Sequence, residues 1–156
     1  MVLRGEGDRV RGEVDMRKVW VLLVLLLVPA LAQRAVSFRV SLPNPPGVGL
    51  GLEGNLEQSF AFRLYADLLA GPDGYLGGEL LFKPDLGRFD RDLRGIRPYF
   101  GGGLGARLVP GEVGIQLALG LEVLLDARTG VFLEGDYFAP FSGRQMNRLV
   151  LGANLR

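Results

Sequence analysis

The sequence predicts an all-β protein, an eight-stranded antiparallel up-and-down barrel that follows a cleaved leader. Three observations carry that expectation. After Gln33 the chain alternates apolar and polar residues with period two, broken by turn residues at intervals of about ten to fifteen positions. No stretch in that region has the longer period of an amphipathic helix. Within the runs, every charge falls on one face and the other face is wholly apolar.

The leader comes first in the chain. Arg17 and Lys18 supply a positive start, 19–28 is an apolar run, and Ala30-Leu31-Ala32 is a small-residue cleavage pattern. Residues 16–32 therefore read as a secretory signal peptide, with an uncleaved anchor as the alternative. The apolar run is shorter than the roughly 20 residues a spanning helix needs. Residues 1–15 mix both charges without periodicity and read as a start assigned too early or an extended n-region. The expected barrel occupies residues 33–156.

Eight runs follow. "AVSFRVSL" (35–42) is broken by "PNPPG", and "VGLGLEG" (48–54) leads through a short polar link to "SFAFRLYADLL" (59–69). "AGPDG" then turns the chain into "YLGGELLFK" (75–83). The one long connection, "PDLGRFDRDLRG" (84–95), precedes "IRPYFGGGLGARL" (96–108) and "VGIQLALGLEVLL" (113–125). "VFLEGDYFA" (131–139) and "QMNRLVLGANLR" (145–156) complete the set. Each run approaches the 9–11 residues of a tilted transmembrane strand, and an even number closes an antiparallel barrel.

Charge and composition remove several functions. The chain has no cysteine and no histidine, which excludes disulfides, thiol nucleophiles, Cys/His zinc sites and imidazole bases. A formal net charge of +1 gives no footprint for nucleic acid. Gly101, Gly103 and Ala106 match the spacing of a dinucleotide-binding turn. The residues after them, 109–114, form another turn and leave no helix to meet a phosphate. Asp85, Asp90 and Asp92 could suit calcium, but the interleaved Arg88, Arg91 and Arg94 favour a solvated charged loop. No metal or cofactor is expected.

The charged face carries Arg39, Glu53, Arg63, Asp67, Glu79, Lys83, Arg107, Glu122, Glu134, Asp136, Arg148 and Arg156. Opposite it lie residues such as Phe38, Leu50, Leu64, Leu80, Phe100, Leu119, Leu133 and Leu151. Two barrels accommodate this pattern. A secreted or periplasmic lipocalin-like barrel turns the apolar face inward around a small molecule or lipid. A transmembrane barrel turns it outward and fills its narrow interior with side chains. Balanced acids and bases suit a plugged, salt-bridged lumen, because an unpaired charge stripped of water is costly. The expected bonds join Arg63, Arg107 and Arg148 to Glu79, Glu122 and Glu134. Inward glycines, Gly101, Gly103 and Gly105 among them, would make room for long side chains from neighbouring strands and ease the bending of a small closed sheet.

"RPYFGGGLGARL" resembles the "PYxGxGxG" strand of the small eight-stranded outer-membrane barrels, the OmpA/OmpX-like group. "GVFLEGDYF" is similar to the strand after their last periplasmic turn. The resemblance implies residence in the cell outer membrane, with the lipid bilayer and the outer-membrane assembly machinery as partners. It also implies a structural role in envelope integrity or contact with an unidentified surface partner. Small barrels of this size include lipid-modifying enzymes that rely on histidine. This chain has none, and its inward hydroxyls, Ser37 and Ser41, lack a base, so no enzyme is expected. Two departures stand out. The chain finishes on Leu155-Arg156 where the group usually has an aromatic residue. Its longest connection, 84–95, falls on the periplasmic side if the first strand starts there, whereas the group's long loops are usually extracellular.

Overall fold

The computed structural model describes residues 34–42 and 45–156; the expected segments 1–15 and 16–32 lie outside them. The period-two runs form β1 (Arg34–Leu42), β2 (Gly47–Asn55), β3 (Phe60–Leu69) and β4 (Asp73–Phe82). They continue as β5 (Ile96–Arg107), β6 (Glu112–Leu124), β7 (Thr129–Pro140) and β8 (Met146–Leu155). Each strand pairs antiparallel with the next in the chain, and β8 returns to β1, with Val36 opposite Leu155. That last ladder removes both edges, so no backbone edge is left for another chain to extend.

Side chains alternate across the barrel wall as the pleat requires. On β6, Gln116, Ala118 and Glu122 point inward, while Ile115, Leu117, Leu119 and Leu121 point outward. Leu119 is 70% exposed and Glu122 is fully buried three residues later. The same parity holds on β1, where Ser37, Arg39 and Ser41 are buried and Phe38, Val40 and Leu42 are exposed. The apolar face is the outside of the cylinder. A calyx for a greasy ligand needs that face inside, which this parity rules out.

The interior also contains apolar residues that composition alone did not single out. Ala61, Leu81, Tyr99, Ala118, Phe132 and Val150 form one buried cluster, and Tyr65, Leu69, Tyr75, Phe138 and Met146 form another. Four of the rings lie over glycines of an adjacent strand. A Cβ at Gly77 would strike the ring of Tyr65, one at Gly105 would strike Tyr75, one at Gly120 Tyr99, and one at Gly152 Phe132. The strand glycines thus seat aromatic rings flat against the wall, a pairing known to fix register in curved sheets. Gly101 and Gly103 have a different reason: a Cβ there would meet the β4 carbonyls of Leu80 and Gly78. In "PYFGGGLGARL" the glycines therefore permit close backbone approach and one ring seat.

The two ends of the cylinder differ. At one end, where β1 also hands over to β2, the strands reverse within three to five residues at 70–72, 108–111 and 141–145. The opposite end receives both ends of the strand array, two short turns at 56–59 and 125–128, and the connection 83–95. That connection holds two short 3-10 turns, Leu86–Arg88 and Arg91–Leu93. Its aspartates are turned onto backbone donors. Asp85 Oδ1 accepts from the N–H groups of Gly87 (2.8 Å) and Gly95 (3.3 Å), its Oδ2 accepts from Arg97 Nε (3.2 Å), and Asp90 accepts from Asp92 N–H. A side-chain acceptor in this position satisfies donors that a short helical turn leaves open. Partial burial pushes the Asp85 carboxyl up, but those N–H donors and the Arg97 guanidinium outweigh it and hold the group below the usual carboxylate range.

Candidate functional site: the ion-paired interior

Inward parity places Arg39, Glu53, Arg63, Asp67, Glu79, Lys83, Glu122, Glu134, Asp136 and Arg148 inside the barrel, each less than a tenth exposed. They are arranged by height along the axis. Nearest the strand termini, Lys83 Nζ lies 2.8 Å from Glu53 Oε1 and 3.0 Å from Glu122 Oε2. Glu122 Oε1 also accepts from Asn154 Nδ2 (2.6 Å) and Arg156 Nη2 (2.7 Å). Asn154 is itself held by the hydroxyl of Ser37, which donates to its Oδ1.

At mid-height Arg63 sits between two carboxylates. Its Nε donates to Glu79 Oε1 at 2.6 Å and its Nη2 donates to Glu134. Glu134 also accepts from Tyr99 Oη (2.7 Å) and from Arg39 Nη1 (3.2 Å). Arg39 reaches on to Asp136 Oδ2 (3.0 Å) and to Asp67 Oδ1 (3.3 Å). Gln116 Nε2 donates to Glu79 Oε2, while its Oε1 accepts from Tyr65 and Tyr75 at 3.0 and 2.5 Å. Arg148 continues the network toward the far end, donating to Asp67 Oδ2 (2.7 Å) and Asp136 Oδ2 (3.1 Å).

Aromatic faces complete the packing around these cations. The Arg39 guanidinium lies 3.8 Å from the Tyr65 ring centroid, and Arg148 lies 4.4 Å from that of Tyr75. Lys83 Nζ is 5.0 Å from the centre of Tyr99. Where water is excluded, such contacts add an estimated 2 kcal/mol, roughly, to the attraction. The rings and glycines described above therefore make room for the charges and also help to hold them.

Of the bonds expected from sequence, the structure contains Arg63 with Glu79 and with Glu134. Arg107 and Arg148 take other partners. Arg107 lies at the far end of β5, opposite Glu112, and its Nε reaches Asp73 Oδ2 at the mouth (2.5 Å). Glu122 stands opposite Arg97, near the other end of the same ladder. Height along the barrel, set by strand stagger, decides which charges meet. Arg107 is accordingly a half-buried mouth residue, and Arg156 reaches in from the opposite mouth.

Several interior residues were missed: Tyr65, Tyr75, Tyr99, Gln116, Asn154 and, at the mouth, Asp73. Their signal was parity. Tyr65 falls between Arg63 and Asp67 on the inward register of β3, and Gln116 shares the register of Glu122 on β6. The described residues hold no group of carboxylates arranged to bind a metal ion.

No family model and no curated protein sequence matches the chain. Solved structures do match it. The N-terminal β-barrel domain of Pseudomonas aeruginosa OprF aligns at a TM-score of 0.65 and 12% identity, covering 78% of this chain and 95% of that domain. A de novo designed transmembrane β-barrel aligns at 0.60 and 9% identity, covering 78% and 93%. Neisserial surface protein A (NspA) aligns at 0.54 and 9% identity with the same two coverages. At such identities the likeness is one of fold. An apolar exterior, a charged interior and these matches together give the chain the fold of the small eight-stranded outer-membrane barrels, the OmpA/OmpX-like architecture.

Proposed function

We propose that this chain is a structural barrel of the outer membrane, with its apolar exterior in lipid and its lumen plugged by ion pairs. One observation carries the proposal: the outward face of the sheet is lined by exposed aliphatic and aromatic side chains, while the charged side chains of the strands are buried inside, among aromatic rings and small apolar residues. A continuous greasy exterior of this kind demands a covering, and an array of side chains with period two around a closed cylinder fits hydrocarbon. The lumen residues Arg39, Glu53, Arg63, Asp67, Glu79, Lys83, Glu122, Glu134, Asp136 and Arg148 act together as the plug, with Arg107 and Arg156 at its two mouths. Segment 16–32 serves as the export signal, and the outer-membrane assembly machinery inserts the product. The role is mechanical, in envelope integrity, rather than catalytic.

Two measurements on purified protein test this. Membrane-inserted chain should migrate faster on a gel before boiling than after, as a barrel that resists detergent does. In a planar bilayer it should conduct poorly. Stable single channels of porin-like conductance would overturn the plugged lumen and make transport the function to pursue. Protein that stays soluble without detergent would overturn the membrane placement.

A further inference from the structure

We propose that the rim of the barrel at the strand-termini end carries a binding site for one phospholipid with a zwitterionic headgroup, formed between the β2–β3 turn and the β4–β5 connection. Glu57, Gln58 and Ser59 of the turn, Phe60 and Phe82 at the strand ends, and Arg88 of the first 3-10 turn line an open depression of about 520 Å³. That volume lies within the span of roughly 300–1,000 Å³ typical of small-molecule sites.

Two independent features point to the ligand. The first is charge. A carboxylate and a guanidinium line the same hollow, yet neither Glu57 nor Arg88 joins an ion pair among the described residues. The acidic side chain suits an ammonium group and the basic one a phosphate, which guanidinium binds with charge-assisted, often paired hydrogen bonds. The backbone that carries Arg88 is ordered before any ligand arrives, since its main-chain N–H donates to Asp85 O at 3.2 Å within the capped connection.

The second feature is depth. Phe60, Phe82 and Phe100 form an outward ladder across β3, β4 and β5, with centroid spacings of 5.3 and 5.6 Å. In the connection that leaves β4 at Phe82, Phe89 is 81% exposed. Aromatic rings of transmembrane barrels gather at the level where acyl chains give way to headgroups. The hollow opens at that level, with Phe60 and Phe82 placed for the first methylenes and Ser59 and Gln58 for the ester oxygens. The inference rests on the membrane placement proposed above.

The test folds full-length chain into vesicles of phosphatidylethanolamine and phosphatidylglycerol, extracts it in mild detergent and counts retained phospholipid by native mass spectrometry. Wild type should retain one phosphatidylethanolamine. Arg88→Gln should lower that occupancy at least five-fold, and Glu57→Gln should shift retention toward phosphatidylglycerol. Heat-modifiable migration of each variant, recorded in parallel, reports insertion separately. Inserted wild type without bound phospholipid, or equal retention by Arg88→Gln, overturns this inference alone. So does displacement of the lipid by millimolar inorganic phosphate, which would make the site one for free anion. Failure of wild type to insert at all overturns the membrane placement and the lipid site together.

Discussion

Along β6, Leu119 and Gly120 are neighbours in the chain and occupy opposite environments. Leu119 stands 70% exposed on the outside of the cylinder, among other aliphatic side chains. Gly120 faces in, and the ring of Tyr99 lies where its Cβ would be. The outer face asks little beyond being apolar: apart from the Phe60–Phe82–Phe100 ladder near one rim, Leu, Val, Ile and Phe recur there without matched partners. The inner face is a set of matched parts, cations with their carboxylates and four of the rings each with a glycine. The outer side is therefore constrained in kind and the inner side in identity, so substitutions should separate the two.

The largest effect is expected inside. Arg63→Met removes the cation between Glu79 and Glu134 and leaves both carboxylates buried, which should cost about 3–5 kcal/mol in folding stability. Urea unfolding in detergent micelles measures it, with exposed Arg91→Met as the reference. Equal costs for the two would show that water reaches the mid-height network. Outside, Leu119→Arg should cost about 2–4 kcal/mol if that face meets the bilayer midplane. If the variant inserts into vesicles with wild-type yield, the outer face is not in hydrocarbon.

A smaller effect separates shape from charge. Gly120→Ala forces the Tyr99 ring off its seat and should cost about 1–3 kcal/mol. Combined with Tyr99→Ala, the same change should be less damaging, because the colliding ring is gone, although the Leu133 carbonyl, 2.8 Å from the added Cβ, still opposes it. Strict additivity in a double-mutant cycle would break the ring-seat account. The smallest effect belongs to the connection between β4 and β5. Asp85→Asn weakens a cap and should cost on the order of 0.5–1 kcal/mol at neutral pH. The Asp85 carboxyl is held low in the folded chain, so its contribution is complete above the unfolded carboxylate value of about 3.9 and fades as pH falls through the lower folded one. The gap between variant and wild type should close in acid, and a gap that widens there reverses the assignment.

How much of this was legible depends on what parity can encode. Period two tells which residues share a face, so the inward placement of Arg63 and Glu79 and the outward placement of Leu119 follow from position alone. It does not tell how far one strand is slid against the next. Arg107 and Glu122 share a face and sit on paired strands, yet they lie near opposite ends of the ladder. The partner of Arg107 is Asp73, a residue that reads as turn in "AGPDG" and belongs to the first position of β4. The ring seats were hidden for the same reason. Tyr65 meets Gly77 only once β3 and β4 are in register, with the two residues directly opposite. The connection 84–95 reads as solvated from its alternating charges. Its order comes from Asp85 and Asp90 turning onto backbone N–H groups that no periodicity reveals.

At the end away from the strand termini, the reversals at 70–72, 108–111 and 141–145 take only three to five residues each and keep the chain close to the rim of the cylinder. A protease, an antibody or a phage fibre approaching from that side would find no projecting strap among the described reversals to cut or grip. Shaving of intact cells should leave this barrel uncut if that side faces outward. Any partner recruited there would have to recognise the rim of the cylinder itself, at the backbone of tight turns such as Gly71 and Gly111, whose positive φ angles resist substitution.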